Sequence, residues 1–421
     1  AGGDRVRAAA GVADQREAGL DRGGRGQVDG GGHLEGALVA DDRVGDLVCG
    51  DAYLIDGQSN ALATDTGEDA PRETNEWIRS YAGPTGRGDG AKWVQDRMQE
   101  AQKAGLARPN LWCKPVWKMN KPEHKAELGY WGMELAKRLV EKHKRPVFII
   151  NAAVGGSRID EHQPTPGDHA DLKTMYGRML WRVQQARLTH GIKAVIWHQG
   201  ENDQGADGPT GGYGWETYQQ YFIDMSGAWK EDMPNIEQYY LFQIWPNACA
   251  MGGREGSGDR LREAQRTLPG LYSNLSILST CGIQPPGGCH YPLAGWAEFA
   301  RMLEPLIERD FYGKQPAGHI TAPNLDEARF TTAARDEIKL VFDQPVIWKD
   351  ELLNQFYLDD IGGDVASGSA AEHIVTLKLK APSAATKTPY LKKRDGNQNR
   401  LLIGKNGIAA LTFCDVEIGT R

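Results

Sequence analysis

The residues AYLIDGQSN at positions 52–60 decide how this chain folds. The first five are nearly all apolar, as expected of a strand buried in a parallel sheet. Gly57 then permits a sharp turn, and Ser59 emerges where a following helix would favour developing negative charge. Functional side chains of α/β proteins lie beyond the carboxyl ends of such strands. The stretch therefore predicts a buried strand and a functional loop, although a serine in this place can equally cap a helix.

Apolar strands and amphipathic helices alternate from about residue 48 to residue 313. The strand candidates are Ala52–Asp56, Val147–Ala153, Ala194–His198, Tyr239–Trp245 and Leu275–Thr280. Helical periodicity covers about 126–143, 170–189, 214–230, 258–267 and 293–310. This alternation predicts the α/β class, with a doubly wound, mostly parallel sheet and helices on both faces.

The pattern changes after about residue 314. Short alternating runs follow, and no convincing helix lies between them. They are Glu337–Phe342, Pro345–Trp348, His373–Leu379, Arg400–Ile403 and Ala409–Ile418. This pattern predicts that residues 314–421 form a β-sandwich accessory domain.

Residues 1–47 differ from the rest of the chain. The first 36 residues hold 11 Gly and five Arg and no aromatic residue. Such a segment buries too little apolar surface to offset its chain entropy, so we expect disorder, or an artefact of cloning or of misread coding sequence. The chain begins with Ala and shows no signal peptide, which predicts a processed product or a fragment.

The overall composition excludes several classes of protein. The 421 residues carry 49 basic and 56 acidic side chains, a net charge of −7, which argues against a nucleic-acid partner. The apolar runs are far shorter than the roughly 20 residues that span a bilayer, so no membrane span is expected. The six cysteines have no zinc-site spacing, and no dinucleotide or phosphate-loop motif is present. We therefore expect no metal and no cofactor.

Polar loops follow three of the predicted strands, and a fourth precedes the last helix. The loops are Asp56–Asn60, Ala153–Arg158, Trp197–Asp203 and Gly287–Pro292. Each has an ordinary structural explanation when taken alone: a helix cap, a tight turn, a structural polar network or a surface histidine. Together they offer a serine nucleophile, backbone and amide donors for an oxyanion, and a histidine base. That combination indicates acyl transfer.

The ordered motifs resemble the SGNH hydrolase superfamily. The strings Gly57-Gln58-Ser59-Asn60, Gly155-Gly156-Ser157 and Gly200-Glu201-Asn202-Asp203, followed by His290, carry this resemblance. The Gly-Gln-Ser-Asn and His-Gln-Gly-Glu strings are similar to those of its carbohydrate esterases, which include sialate O-acetylesterases and acetylxylan esterases. The resemblance covers about 48–313 and implies a flavodoxin-like SGNH fold. It also implies removal of O-acetyl groups from an acetylated carbohydrate, and a secreted or periplasmic location.

The resemblance implies a role for each motif residue. Ser59 would be the nucleophile and His290 the base. The backbone N–H groups of Ser59 and Gly156, with the side chain of Asn202, would form the oxyanion hole. Three such donors would stabilise the tetrahedral intermediate by several kcal/mol.

One residue departs from the family pattern. The family has an Asp three residues before the catalytic His, and Gly287 occupies that position here. Three explanations stay open: Glu201 supplies the acid, a backbone carbonyl of Gly287–Gly288 accepts from His290, or the site is no longer catalytic.

The substrate-binding residues are predicted from their positions beside these motifs. Gln58 and Gln199 lie within the motifs themselves, and Gln243 and Trp245 end the fourth predicted strand. Arg158 is placed to meet a substrate carboxylate or to pair with a neighbouring acid. Two other functions compete with the sugar deacetylase: a catalytically inactive glycan-binding protein and a general short-chain esterase. The sequence gives no oligomeric state.

Overall fold

The computed structural model describes residues 49–65, 73–88, 90–119, 126–203, 214–246, 257–284, 289–392 and 398–420. Residues 1–47, for which we expect disorder or an artefact, lie outside these ranges. So do the Gly287–Gly288 carbonyls, which are candidate partners of His290.

A seven-stranded sheet forms the first part of the fold. Its strands are β1 (Asp51–Gly57), β2 (Ile78–Tyr81), β3 (Trp112–Cys113), β4 (Val147–Asn151), β5 (Ile192–His198), β6 (Gln238–Gln243) and β7 (Leu275–Ser279). Their spatial order is β3-β2-β4-β1-β5-β6-β7, and all are parallel except the short edge strand β3. Because β1 lies between β4 and β5, the loops after these three strands meet at one edge of the sheet. At this point the order of the strands changes from one side of β1 to the other.

Helices cover both faces of this sheet. They are α1 (Ser59–Leu62), α2 (Gly90–Lys103), α3 (Tyr130–His143), α4 (Met175–Gln185), α5 (Trp215–Asp232), α6 (Ser257–Thr267) and α7 (Leu293–Phe311). Successive residues of β1 point into different cores, because Tyr53 and Ile55 pack with α3 and α7. Ala52 and Leu54 pack instead with α4 and α5. The mostly parallel α/β sheet predicted from the sequence is therefore confirmed.

The segment between the first two predicted strands holds more structure than its sequence indicated. Strands β2 and β3 and helix α2 all lie within it. Strand β2 reads Ile-Arg-Ser-Tyr, and these two central polar residues interrupt the apolar run that marks a buried strand. The sheet is thus two strands wider than expected.

The C-terminal part is built from β-strands. A six-stranded sheet has the order β13-β14-β9-β8-β17-β15 and is antiparallel except between β17 and β8. Its strands are β8 (Leu325–Phe330), β9 (Glu337–Phe342), β13 (Val365–Ala371), β14 (Ile374–Leu379), β15 (Lys387–Tyr390) and β17 (Phe413–Gly419). Two small antiparallel pairs accompany it: β10 (Val346–Ile347) with β16 (Ile403–Gly404), and β11 (Tyr357–Leu358) with β12 (Ile361–Gly362). A sandwich of two facing sheets, and the boundary at 313/314, stay predictions.

Within the described ranges, no helix has both the length and the apolar character needed to cross a membrane.

Candidate active site

The turn after β1 brings Ser59 to the edge of the sheet. Gly57 has a φ of +133°, and a Cβ at this position would lie 2.1 Å from the carbonyl oxygen of His198. The backbone N–H of Gln58 donates to the same carbonyl at 3.0 Å. Only glycine fits this close approach between β1 and β5. Ser59 then begins α1 and is only partly buried, so its hydroxyl is accessible.

The oxyanion donors predicted from the sequence lie next to each other. Gly156 has a φ of +69°, which a glycine adopts without strain. The Asn202 Nδ2 donates to the Gly156 carbonyl at 2.8 Å, which holds the two loops together. The backbone N–H groups of Gly156 and Ser59 make no hydrogen bond to another described residue. These groups are therefore available to a ligand oxygen.

Two buried glutamines fix the orientation of Asn202. The Gln58 Oε1 accepts from the backbone N–H groups of Gly200 and Asn202, at 3.1 and 3.3 Å, and its Nε2 donates to the Asn202 Oδ1 at 3.2 Å. The Gln199 Nε2 donates to the Gln58 Oε1 at 3.2 Å and to the Ser157 carbonyl at 3.1 Å. Because both side chains are fully buried, these two predicted substrate contacts lie behind the surface that a substrate would touch.

His290 is paired with a carboxylate that the sequence motifs did not indicate. Its Nδ1 lies 3.0 Å from the Asp65 Oδ2, and the two side chains are 24% and 75% exposed. The Asn60 Nδ2 donates to the Cys289 carbonyl at 3.2 Å, which joins the loop of Ser59 to the loop of His290. Asp65 follows α1 in a stretch with no recognisable pattern, and its spacing from Ser59 matches none of the motifs considered.

Glu201, the acid expected from the sequence, is bonded elsewhere. Its Oε1 accepts from the Asn60 Nδ2 at 2.8 Å and lies 3.3 Å from the His198 Nε2. Burial disfavours the charged form, but the nearby His198 and the Asn60 amide outweigh it, so the pKa of Glu201 is lowered. The acid role expected for Glu201 therefore stays a prediction: this carboxylate contacts Asn60 and His198, and Asp65 is the carboxylate next to His290.

Arg158 takes the alternative that pairs it with a neighbouring acid. Its Nε and Nη2 both donate to the Asp160 carboxylate at 2.8 Å. This fork occupies one edge of the guanidinium and places a negative charge beside it.

Gln243 and Trp245 make their contacts within the protein. The fully buried Gln243 amide exchanges two hydrogen bonds of 2.8 Å with the backbone of Thr412, in the C-terminal part of the chain. Trp245 is buried, and its ring stacks on Tyr291 with centroids 5.9 Å apart. Neither side chain has an exposed polar group for a sugar, so we leave both out of the proposed site.

A second Ser-His-Asp set lies beneath the oxyanion turn. The Ser157 Oγ is 2.7 Å from the His162 Nε2, and the His162 Nδ1 is 3.3 Å from the Asp56 Oδ1. All three residues are buried, so no substrate reaches Ser157. The accessible Ser59 remains the nucleophile candidate.

Asp203 is a buried acid at the same edge of the sheet. Burial raises its pKa to about 7, although the Gln199 amide and the Ile159 N–H partly oppose the shift. With this pKa, Asp203 is only partly ionised near neutral pH. No group of three or more acidic, histidine or cysteine side chains in the described parts of the chain has the geometry to hold a metal ion.

Part of the chain matches a known family model. Residues 50–237 match the model of the carbohydrate esterase family described as sialic acid-specific acetylesterase. No protein of curated function matches the sequence.

One solved structure shows the same fold, and two others are less similar. A carbohydrate acetylesterase from Xanthomonas citri has a TM-score of 0.61 at 19% identity, over 86% of this chain and 80% of that chain. A protein from Arabidopsis thaliana gives 0.44 at 19% identity, over 62% of this chain and 99% of that chain. An acetyl-xylooligosaccharide esterase from Geobacillus gives 0.32 at 11% identity, over 66% and 98%. The resemblance read from the motifs is confirmed: residues 50–237 match the carbohydrate-esterase family model, and this match supports an SGNH-type carbohydrate O-acetylesterase.

Proposed function

We propose that the protein removes O-acetyl groups from a carbohydrate through an acetyl-enzyme intermediate on Ser59. The observation that carries the proposal is the placement of His290. Its Nδ1 lies 3.0 Å from Asp65, and its loop is bonded to the loop of Ser59 through Asn60 and Cys289. This arrangement supports a nucleophile, a base and an orienting acid at one edge of the sheet.

The reaction follows from these positions. His290 takes the Ser59 hydroxyl proton through Nε2 while the Ser59 oxygen attacks the acetyl carbonyl. The N–H groups of Ser59 and Gly156 and the Asn202 amide stabilise the oxyanion, each donor contributing roughly 10²–10³-fold in rate. The imidazolium, held by Asp65, then gives its proton to the leaving sugar oxygen. Water repeats the sequence on the acetyl-serine and releases acetate.

The substrate is an acetylated polysaccharide or a sialic-acid-type glycan. The family match supports an acetylated sugar. Because Asp160 occupies the Arg158 fork, that side chain gives no support for a substrate carboxylate. A secreted or periplasmic place of action stays a prediction.

The test is acetate release from p-nitrophenyl acetate, acetylated xylan and O-acetylated sialic acid. Wild type should hydrolyse at least one sugar ester, and Ser59→Ala should lose roughly 10³-fold or more of the rate. Ser226→Ala, which removes a hydroxyl from α5, is the control and should keep full activity. An inactive wild type would instead favour the glycan-binding function.

Acyl-chain length separates the sugar deacetylase from a general esterase. We expect the p-nitrophenyl acetate rate to exceed the hexanoate rate by at least about tenfold, because one misfitting methylene costs about 1–3 kcal/mol in a fitted pocket. Equal rates on both esters would favour the general esterase.

A further inference from the structure

The buried set of Asp56, His162 and Ser157 plays no part in the proposed reaction, yet it joins two of its loops. Asp56 ends β1, directly before the turn that leads to Ser59, and its Oδ1 accepts from the Gly57 N–H at 2.8 Å. Ser157 directly follows the oxyanion residue Gly156. His162 lies between the two side chains: its Nε2 is 2.7 Å from the Ser157 Oγ, and its Nδ1 is 3.3 Å from the Asp56 Oδ1 without forming a hydrogen bond.

Burying these groups is costly unless each one is paired. A hydroxyl or an imidazole removed from water without a partner costs on the order of 1–3 kcal/mol, and a carboxylate costs more. Apolar side chains would fill the same space with no such cost. The three residues therefore do more than fill space. Their place between the loops of Ser59 and Gly156 indicates a positioning role.

Hydrogen bonds hold both ends of the turn 154–157. The Ser157 Oγ donates to the Val154 carbonyl at 2.8 Å, and the Ser157 N–H donates to the same oxygen at 3.2 Å. The Val154 N–H donates to the Gly57 carbonyl at 2.9 Å. Gly156 has no side chain with which to fix its own peptide. The direction of its N–H therefore depends on its neighbours: Asn202 and Arg87 donate to the Gly156 carbonyl at 2.8 and 2.9 Å, and the bonds made by Ser157 hold the turn on the other side.

We infer that Asp56, His162 and Ser157 form a positioning relay that aims the Gly156 N–H at the developing oxyanion of the acetyl group. The inference rests on the proposed function, because it assigns Gly156 to the oxyanion hole. All three are positioning residues, since none is exposed to substrate. Oxyanion donors act more strongly in the transition state than in the bound substrate. Loosening the relay therefore lowers kcat and leaves KM nearly unchanged.

The test compares His162→Gln and Ser157→Ala with a matched control. We expect kcat on p-nitrophenyl acetate to fall by about tenfold or more in each variant, with KM within about twofold. The affinity for methylboronic acid, which forms a tetrahedral adduct with an active serine, should fall in parallel with kcat. The double variant should be little worse than either single one, because the residues act as one unit.

The control is His169→Gln. His169 forms another His–Asp contact, with 2.9 Å between its Nδ1 and the Asp232 Oδ2 at the end of α5. It should lose some thermal stability and keep its kcat. Ser157→Ala removes a single atom, so it tests the relay even if His162→Gln does not fold.

Three outcomes separate this inference from the proposed function. Loss of turnover in Ser59→Ala together with a normal kcat in both relay variants would overturn the relay alone. A fall in thermal stability with unchanged kcat and unchanged boronate affinity would overturn it too, since that is a purely structural effect. Full turnover in Ser59→Ala would overturn the proposed function and the relay with it.

Discussion

At the residue scale, the exposure of Asp65 decides how much it contributes to the rate. A carboxylate that is 75% exposed is screened by water. We therefore expect Asp65→Asn to lower kcat by about 10- to 100-fold, less than the roughly 10⁴-fold known for a buried triad carboxylate. Steady-state kinetics on p-nitrophenyl acetate measure the effect.

Glu201→Gln is the matched comparison. The Gln would still accept from the Asn60 amide but would lose its charge beside His198. We expect kcat to stay within a few fold of wild type while the melting temperature falls, because a neutral amide is a weaker hydrogen-bond acceptor than the buried carboxylate. A large loss of kcat in Glu201→Gln with a small one in Asp65→Asn would restore Glu201 as the acid.

Asp203 should make stability depend on pH. Its pKa is about 7 in the folded protein, against an ordinary value of 3.8. Between these values the unfolded chain has released the proton and the folded protein still holds it, so stability falls as pH rises. Over this pH interval the free energy of unfolding should fall by about 4 kcal/mol.

The measurement is thermal unfolding of wild type and Asp203→Asn at pH 4 and pH 8. The variant, which cannot ionise, should gain stability over wild type on going from pH 4 to pH 8. If the stability difference between the two proteins is the same at pH 4 and pH 8, Asp203 has an ordinary pKa.

Residues that follow predicted strands could be found from the sequence, and others could not. Ser59, Gly156 and Asn202 come directly after β1, β4 and β5, so the strand pattern alone brings them to one edge. Asp65 follows a four-residue helix in an unpatterned stretch, and only the tertiary fold brings it to His290. Gln243 follows the same strand-end rule, but the C-terminal part of the chain covers it.

At the element scale, the turn between β1 and α1 depends on one glycine. A side chain at Gly57 would meet the His198 carbonyl at 2.1 Å and would be strained at a φ of +133°. We expect Gly57→Ala to lower the free energy of unfolding by roughly 2–4 kcal/mol and to reduce activity.

Gly227→Ala is the control for this substitution. Gly227 is exposed in the middle of α5, with no atom within 4 Å of an added Cβ. Alanine there should raise stability by up to about 1 kcal/mol, because it favours the helix. Urea unfolding should show a lower stability for Gly57→Ala and a higher stability for Gly227→Ala. Equal effects of the two substitutions would contradict the argument.

The elements predicted correctly are those with a strong period. Strands β1 and β5 are continuous apolar runs, and helices α3 and α7 have clear apolar faces. Strand β13 reads Val-Ala-Ser-Gly-Ser-Ala-Ala, which has neither the alternation nor the large side chains of a typical strand. Pairing with β14 makes it a strand, and that information is not local.

At the scale of the whole molecule, the two parts of the chain share one core. The same apolar cluster contains residues of α7, such as Leu303, and of β9, such as Leu340. The likeness to the Xanthomonas citri enzyme covers 86% of this chain, which is more than the part before residue 314. The C-terminal sheet therefore packs against the first part of the fold, and a polar contact at β6 joins them.

Gln243 is the centre of that contact. Its amide accepts from the Thr412 N–H and donates to the Thr412 carbonyl, both at 2.8 Å, and it also donates to the Arg262 carbonyl at 3.0 Å. Gln243→Ala would leave these buried backbone groups without their partner. The cost of each such group is about 1–3 kcal/mol, so we expect a loss of roughly 2–4 kcal/mol in unfolding free energy.

Urea unfolding, followed by tryptophan fluorescence and by circular dichroism, tests whether the two parts unfold together. If the contact couples them, Gln243→Ala should lower the midpoint in both signals, whereas Gln220→Ala, on the exposed face of α5, should leave it unchanged. KM and the acyl-chain preference should stay as in wild type, because Gln243 lies outside the substrate surface. A changed KM with an unchanged midpoint would return Gln243 to the substrate-binding role that its strand-end position first suggested.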